Sequence, residues 1–132
     1  MILVDTNVIS DVLTSSDWQT WSIDSLDRHR RRDTLVTNEI VFAKLSARLR
    51  TEADVHGVLS DLLITLERIP TSGLFLAGQA FRKYRIAGGL RTNVVPDFFI
   101  GAHAEVTHMR VLTHDTRPYR AYFPTVELIT PE

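Results

Sequence analysis

Apolar positions along this chain keep changing their period, and the changes mark its elements. Ile2-Leu3-Val4 is an unbroken apolar run, short and partly β-branched, which suits a strand buried on both faces. Asp5-Thr6-Asn7 then offers helix-start chemistry, and Val8, Ile9, Val12 and Leu13 follow at helical spacing. Trp18, Trp21, Ile23 and Leu26 predict a second helix, which ends in the basic run Arg28-His29-Arg30-Arg31-Arg32. Leu35-Val36-Thr37 reads as a second strand. Asn38 caps a helix to Arg50 with a stripe of Val41, Phe42, Leu45 and Leu49. Val55, Val58, Leu59, Leu62, Leu63 and Leu66 continue as another helix. Ile69 falls in a short third strand, and Pro70-Thr71-Ser72-Gly73 reads as a turn. Leu74 to Ala87 is helical and Gly88-Gly89 stops it; Asp97 to Thr107, entered through Pro96, is helical again. Val111-Leu112-Thr113 and Val126 to Ile129 close the chain as strands around a turn-rich segment holding Pro118 and Pro124. Strands alternating with helices predict an α/β fold, a short, mostly parallel sheet with helices on both faces.

With 132 residues the chain has the size of a single domain, 1–132. It has no cysteine, which excludes disulfides, zinc ribbons and thiol catalysis. The opening apolar run is broken at once by Asp5, unlike a signal peptide, and no segment approaches the ~18 apolar residues of a membrane span, so a cytoplasmic protein is expected. Net charge is −1, so no global field attracts nucleic acid. The basic positions Arg82, Lys83, Arg85 and Arg91 are candidate phosphate contacts all the same.

The carboxylates change the picture more. Asp5 directly follows the first strand, Asp115 follows the strand 111–113 after one residue, and Asp97 heads a helix. In an open parallel sheet, ligands bind outside the carboxyl ends of the strands, so these side chains can meet in one cleft. Singly, each has a structural role available: Asp5 and Asp97 as helix caps, Asp115 as a turn residue. Gathered together, unpaired carboxylates repel by about 4 kcal/mol per pair at an effective dielectric near 20. Such a group calls for a cation, and oxygen-only ligands suit Mg²⁺ or Mn²⁺.

These residues also carry a family resemblance. Ile2-Leu3-Val4-Asp5-Thr6-Asn7-Val8-Ile9-Ser10 resembles the first motif of PIN-domain nucleases of the VapC toxin class. Pro96-Asp97-Phe98-Phe99-Ile100-Gly101-Ala102-His103-Ala104 resembles their third motif, and Leu112-Thr113-His114-Asp115 their last, in matching order across nearly the whole chain. The resemblance implies a PIN-like three-layer α/β/α fold and a metal-dependent endoribonuclease, acting on tRNA or another structured RNA. It places Asp5, Asp97 and Asp115 at a Mg²⁺ or Mn²⁺ site, supported by Thr6, Asn7 and Thr113. It further implies a VapB-like antitoxin as partner, seated in a groove lined by Phe42, Leu45 and Leu49, and a homodimer.

One position departs. The family's second motif puts a glutamate before a leucine on the helix after the second strand, and here Lys44 precedes Leu45. Four acids would bring about −4 to the cleft, whereas three acids and an ammonium bring about −2. Glu39 is a poor substitute, lying five residues earlier and roughly 140° around the helix. Lys44 is therefore expected to weaken or abolish metal binding and catalysis, as an inactivating substitution one base away from glutamate, selected or engineered. The alternative is a PIN-like module with a natural Lys44 that binds antitoxin or RNA without cutting. Phosphoryl-transfer domains built on an Asp5 nucleophile fit less well, since haloacid-dehalogenase-like enzymes want a second aspartate at the position of Asn7. His103 and His108 stand five apart, the wrong interval for a helical zinc pair, and Trp18 and Trp21 read as packing or base-stacking residues.

Overall fold

A computed structural model describes residues 1–131. Its five strands all run parallel: β1 (Ile2–Val4), β2 (Leu35–Thr37), β3 (Ile64–Leu66), β4 (Arg110–Leu112) and β5 (Leu128–Ile129), in the order β3-β2-β1-β4-β5. Seven helices connect and cover them: α1 (Thr6–Leu13), α2 (Gln19–Arg30), α3 (Glu39–Ser46), α4 (Glu52–Asp61), α5 (Thr71–Ile86), α6 (Pro96–Thr107) and α7 (Arg117–Tyr122). This is the three-layer α/β/α arrangement expected of a PIN-like chain. Ile2, Leu3 and Val4 are fully buried at the centre of the sheet, as their unbroken apolar run requires.

The order of the strands decides where a site can form. From β1 the chain steps outward through β2 to β3, then crosses back to place β4 on the other side of β1. The crevice at the carboxyl ends of β1 and β4 is thus the point where the winding reverses, the usual ligand position in such sheets. Asp5 and Thr113 are the first residues past those two strands.

Three expectations need correction. The apolar spacing from Val55 does not continue as one helix to Leu66, because Leu63 adopts a left-handed conformation at φ 58° and redirects the chain into β3. β3 gains a full parallel ladder against β2, pairing Leu35 with Ile64 and Thr37 with Leu66, and this outweighs the roughly 1 kcal/mol of left-handed strain. Ile69 lies outside any strand as a consequence, its amide held by Glu39 Oε1 at 2.8 Å. Second, Thr71-Ser72-Gly73 is the first turn of α5, not a turn between elements, with Pro70 at the N-cap. Gly73 is needed there, since a Cβ would stand 2.9 Å from Ile69 Cγ2. Third, the segment around Pro118 contains α7, entered by proline in its first turn, where the missing N–H costs nothing. Elsewhere Gly88, at φ 96°, ends α5 as expected. No helix among the described residues is long and apolar enough to cross a membrane.

A smaller apolar cluster of Ala77, Ala80, Phe98, Ala102 and Phe123 locks α5, α6 and the end of α7 together. It fixes α6, and with it Asp97, against α5 and α7.

Candidate functional site

Asp5 follows β1 and caps α1, its Oδ1 accepting from the Thr6 amide at 2.7 Å. The other oxygen, Oδ2, accepts from Tyr119 Oη at 2.7 Å, Thr113 Oγ1 at 3.0 Å and Asn7 Nδ2 at 3.3 Å. Only 4% of Asp5 is exposed. Burial pushes its carboxyl above the ordinary value, the Tyr119 bond pulls back, the charge of Asp97 pushes up again, and Lys44 and Thr113 oppose it. Tyr119 is fully buried, and burial with the nearby Asp5 charge holds its hydroxyl well above its ordinary range, so it stays a donor. Thr113 Oγ1 accepts in turn from Asn7 Nδ2 at 3.0 Å and from the Asp115 amide at 3.0 Å, while Asn7 Oδ1 accepts from the His114 amide at 3.1 Å. Asp5, Asn7 and Thr113 therefore form one network that ties the end of β4 to the start of α1.

The remaining acids are disposed differently. Asp97 lies in the first turn of α6, where Pro96 sets the helix entry. Lys44 Nζ stands 3.7 Å from Asp97 Oδ1, with 37% and 39% of the two side chains exposed. Asp115 is turned to Arg117, whose Nε and Nη2 reach Oδ1 and Oδ2 at 3.0 and 3.2 Å. That fork holds the Asp115 carboxyl below its ordinary value. Glu39 faces away from Asp5, towards the Ile69 amide and Arg68. Among the described residues no three His, Cys, Asp or Glu side chains gather as a metal-holding group. The donors as arranged do not fit an oxygen-coordinated divalent ion: the third carboxylate is engaged by a guanidinium, and an ammonium occupies the flank of the second.

The PIN-domain family model matches residues 2–124. The chain belongs to that family. No curated protein matches it by sequence. Several solved structures share its fold at low identity. A chain of VapBC2 from Rickettsia felis, crystallised with a promoter DNA fragment, has a TM-score of 0.75 at 17% identity, with 100% of each chain covered. FitAcB from Neisseria gonorrhoeae gives 0.64 at 24%, covering 99% of this chain and 98% of that one. VapC20 from Mycobacterium tuberculosis, described as a Sarcin-Ricin loop cleaving toxin, gives 0.59 at 14%, covering 92% and 95%.

Within this PIN domain the other residues singled out from sequence sit as follows. Leu45 is fully buried in the main core, and Phe42 and Leu49 pack against that core, Phe42 with its ring 5.0 Å from His56. The α3–α4 hairpin thus encloses Leu45, and only its flanks face outward. Arg82, Lys83, Arg85 and Arg91 are exposed on α5 and the loop after it. Arg85 turns back to hold that loop, donating to the Arg91 carbonyl at 2.8 Å. His103 is buried against Asn38 Nδ2 at 3.1 Å, a packing role. Sequence reasoning missed Tyr119, Arg117 and Asp11. Asp11 is buried beside the site, accepting from Ser16 Oγ and Ser22 Oγ, both at 2.9 Å, with His114 Nδ1 2.8 Å away in a close but poorly aligned contact. Asp11 left a signal, being a carboxylate on the inward stripe of an apolar helix; Tyr119 left none, because its short helix has no readable period.

Proposed function

We propose that this PIN domain is a toxin of the VapC type, an endoribonuclease by descent whose Mg²⁺- or Mn²⁺-dependent cleavage is disabled by Lys44. The observation that carries the reading is the 3.7 Å approach of the Lys44 ammonium to Asp97. A cation from the protein stands there beside the acid that, with Asp5 and Asp115, the family resemblance assigns to the metal. Thr6, Asn7 and Thr113 would serve as supports for Asp5. The toxin–antitoxin complexes among the structural neighbours favour a VapB-like antitoxin as partner, and the cleaving toxin among them favours a structured RNA such as tRNA as target. A cytoplasmic homodimer is part of the same proposal.

A second reading has an observation of its own. Asp115 is forked to Arg117 and not directed at Asp5, as suits a module that binds antitoxin or RNA without cutting. One comparison separates the two. Lys44→Glu and the unaltered chain, each purified free of antitoxin, are assayed on total tRNA with Mg²⁺, Mn²⁺ or EDTA. Cleavage by the glutamate form alone, stopped by EDTA, is the expected result. Full cleavage by the unaltered chain sinks the proposal, and silence from both forms favours the binding module.

A further inference from the structure

A cavity of about 410 Å³ opens between α1 and α3, beside the Asp5–Asp97 pair and sharing Thr6, Asn7 and Lys44 with that site. Ser10, Arg48 and His114 complete the part that matters here. Its charge is unusual for the mouth of an acid-lined cleft. Arg48 is exposed and has no carboxylate partner among the described residues. Lys44 makes one ion pair among the described residues, its 3.7 Å contact with Asp97, and its charge also reaches Asp5. The carboxylate in the wall, Asp11, already accepts hydrogen bonds from Ser16 and Ser22. A second, independent observation points to a missing ligand. Thr6 is 7% exposed, and its buried hydroxyl has no hydrogen-bond partner among the described residues. A buried hydroxyl left unpaired is costly, and native structures rarely keep one without a use.

We propose that this cavity is a phosphate subsite for an RNA strand, in which Lys44 and Arg48 supply the positive charge and Thr6 a hydroxyl donor, so that the strand binds without a divalent ion. The inference rests on the reading of the chain as an RNA-directed PIN domain. A phosphodiester suits these donors because its several oxygens can accept from an ammonium, a guanidinium and a hydroxyl together. Nucleic acid is favoured over free phosphate by Trp18, which lies against His114 with ring centroids 5.3 Å apart and is 42% exposed. It offers a stacking face for a base next to the bound phosphate. Lys44 thereby has a positive role, offsetting the charge of Asp97 so that, with Arg48, it gives a bound phosphate cationic partners in the absence of metal.

The test is fluorescence-polarisation binding of a labelled uridine oligoribonucleotide to the full chain, with EDTA present throughout. The unaltered chain is expected to bind. Arg48→Gln is expected to weaken binding about tenfold, the scale of one charge-assisted hydrogen bond, and to make the salt slope shallower by about 0.7. Thr6→Val removes an unpaired buried hydroxyl, so it should weaken binding while leaving thermal stability equal or higher. A merely structural threonine would not produce that combination. Binding by both variants equal to the unaltered chain, at an unchanged salt slope, overturns the subsite. So does binding of inorganic phosphate with none of the oligonucleotide. None of these outcomes depends on cleavage, so the disabled-nuclease reading stands or falls separately on the Lys44→Glu assay.

Discussion

Asp5 is held in a position that a protein built for stability alone would avoid. Four donors converge on its two oxygens, yet burial and the neighbouring Asp97 charge push its carboxyl above 3.8. Between that value and the raised folded one, the folded chain binds more of this proton than the unfolded chain does. Stability therefore falls as pH rises through this window, and the loss persists above it. Asp5→Asn removes the charge and keeps the cap, because asparagine caps helices as well as aspartate, and Tyr119 can turn to accept from the new amide. The variant is expected to be more stable at neutral pH by about 1 kcal/mol, or a melting temperature higher by a few degrees. It should also lose this pH-dependent component in thermal melts followed by circular dichroism. A variant melting below the unaltered chain at neutral pH would mean that the bonds to Tyr119 and Thr113 outweigh burial. Asp5 was legible in the sequence because the end of a buried strand is visible as an apolar run, whereas Thr6, Asn7 and Thr113 were singled out only through the family resemblance. The partner that sets the chemistry of Asp5, Tyr119, was not legible, since it meets the site only through tertiary packing of a six-residue helix, and nothing in the sequence marked Arg117 as the residue that would turn Asp115 aside.

At the scale of elements, α6 matters most, because it carries Asp97 and is clamped between α5 and α7. The clamp depends on Gly101, where a Cβ would fall 2.3 Å from Phe123 Cδ2. Phe123 is buried to 1% exposure and its ring packs near Phe98 at 6.4 Å, so it has no solvent to retreat into. Gly101→Ala is therefore expected to cost about 1–3 kcal/mol through overpacking, even though alanine has the better helix propensity by about 1 kcal/mol. A lower urea midpoint at unchanged slope is the signature. An unchanged midpoint would show that α7 can shift away, and hence that α6 is not rigidly placed. The sequence indicated α6 well, with its proline entry, acid and apolar run. It misled at α4 and β3, where one continuous apolar spacing covers two elements. The break at Leu63 is a left-handed leucine, and no residue type announces one.

For the whole molecule, the strand order puts the acids at the reversal between β1 and β4, and two cations now compete for them. Their strengths differ. Arg117 is 88% exposed, and a surface pair of this kind contributes about 0–1 kcal/mol, so it yields Asp115 readily to any stronger partner. Lys44 is about two-fifths exposed and within electrostatic reach of both Asp5 and Asp97, so an ion entering the cleft meets its charge directly. Lys44 should therefore be the obstacle to metal, with Arg117 a minor one. Binding to the folded state alone raises stability by about 2.7 kcal/mol when the ligand stands at 100 times its Kd. Lys44→Glu is accordingly expected to gain several degrees of melting temperature on titration with Mn²⁺, with the unaltered chain and Arg117→Ala nearly indifferent to the ion. Adding Arg117→Ala to Lys44→Glu should lower the Mn²⁺ concentration needed by no more than a few-fold, as one weak surface pair allows. If Arg117→Ala alone responds to Mn²⁺ as strongly as Lys44→Glu, the guanidinium is the true gate. The cleft would then be a metal site masked by its own turn and not one rewritten at position 44.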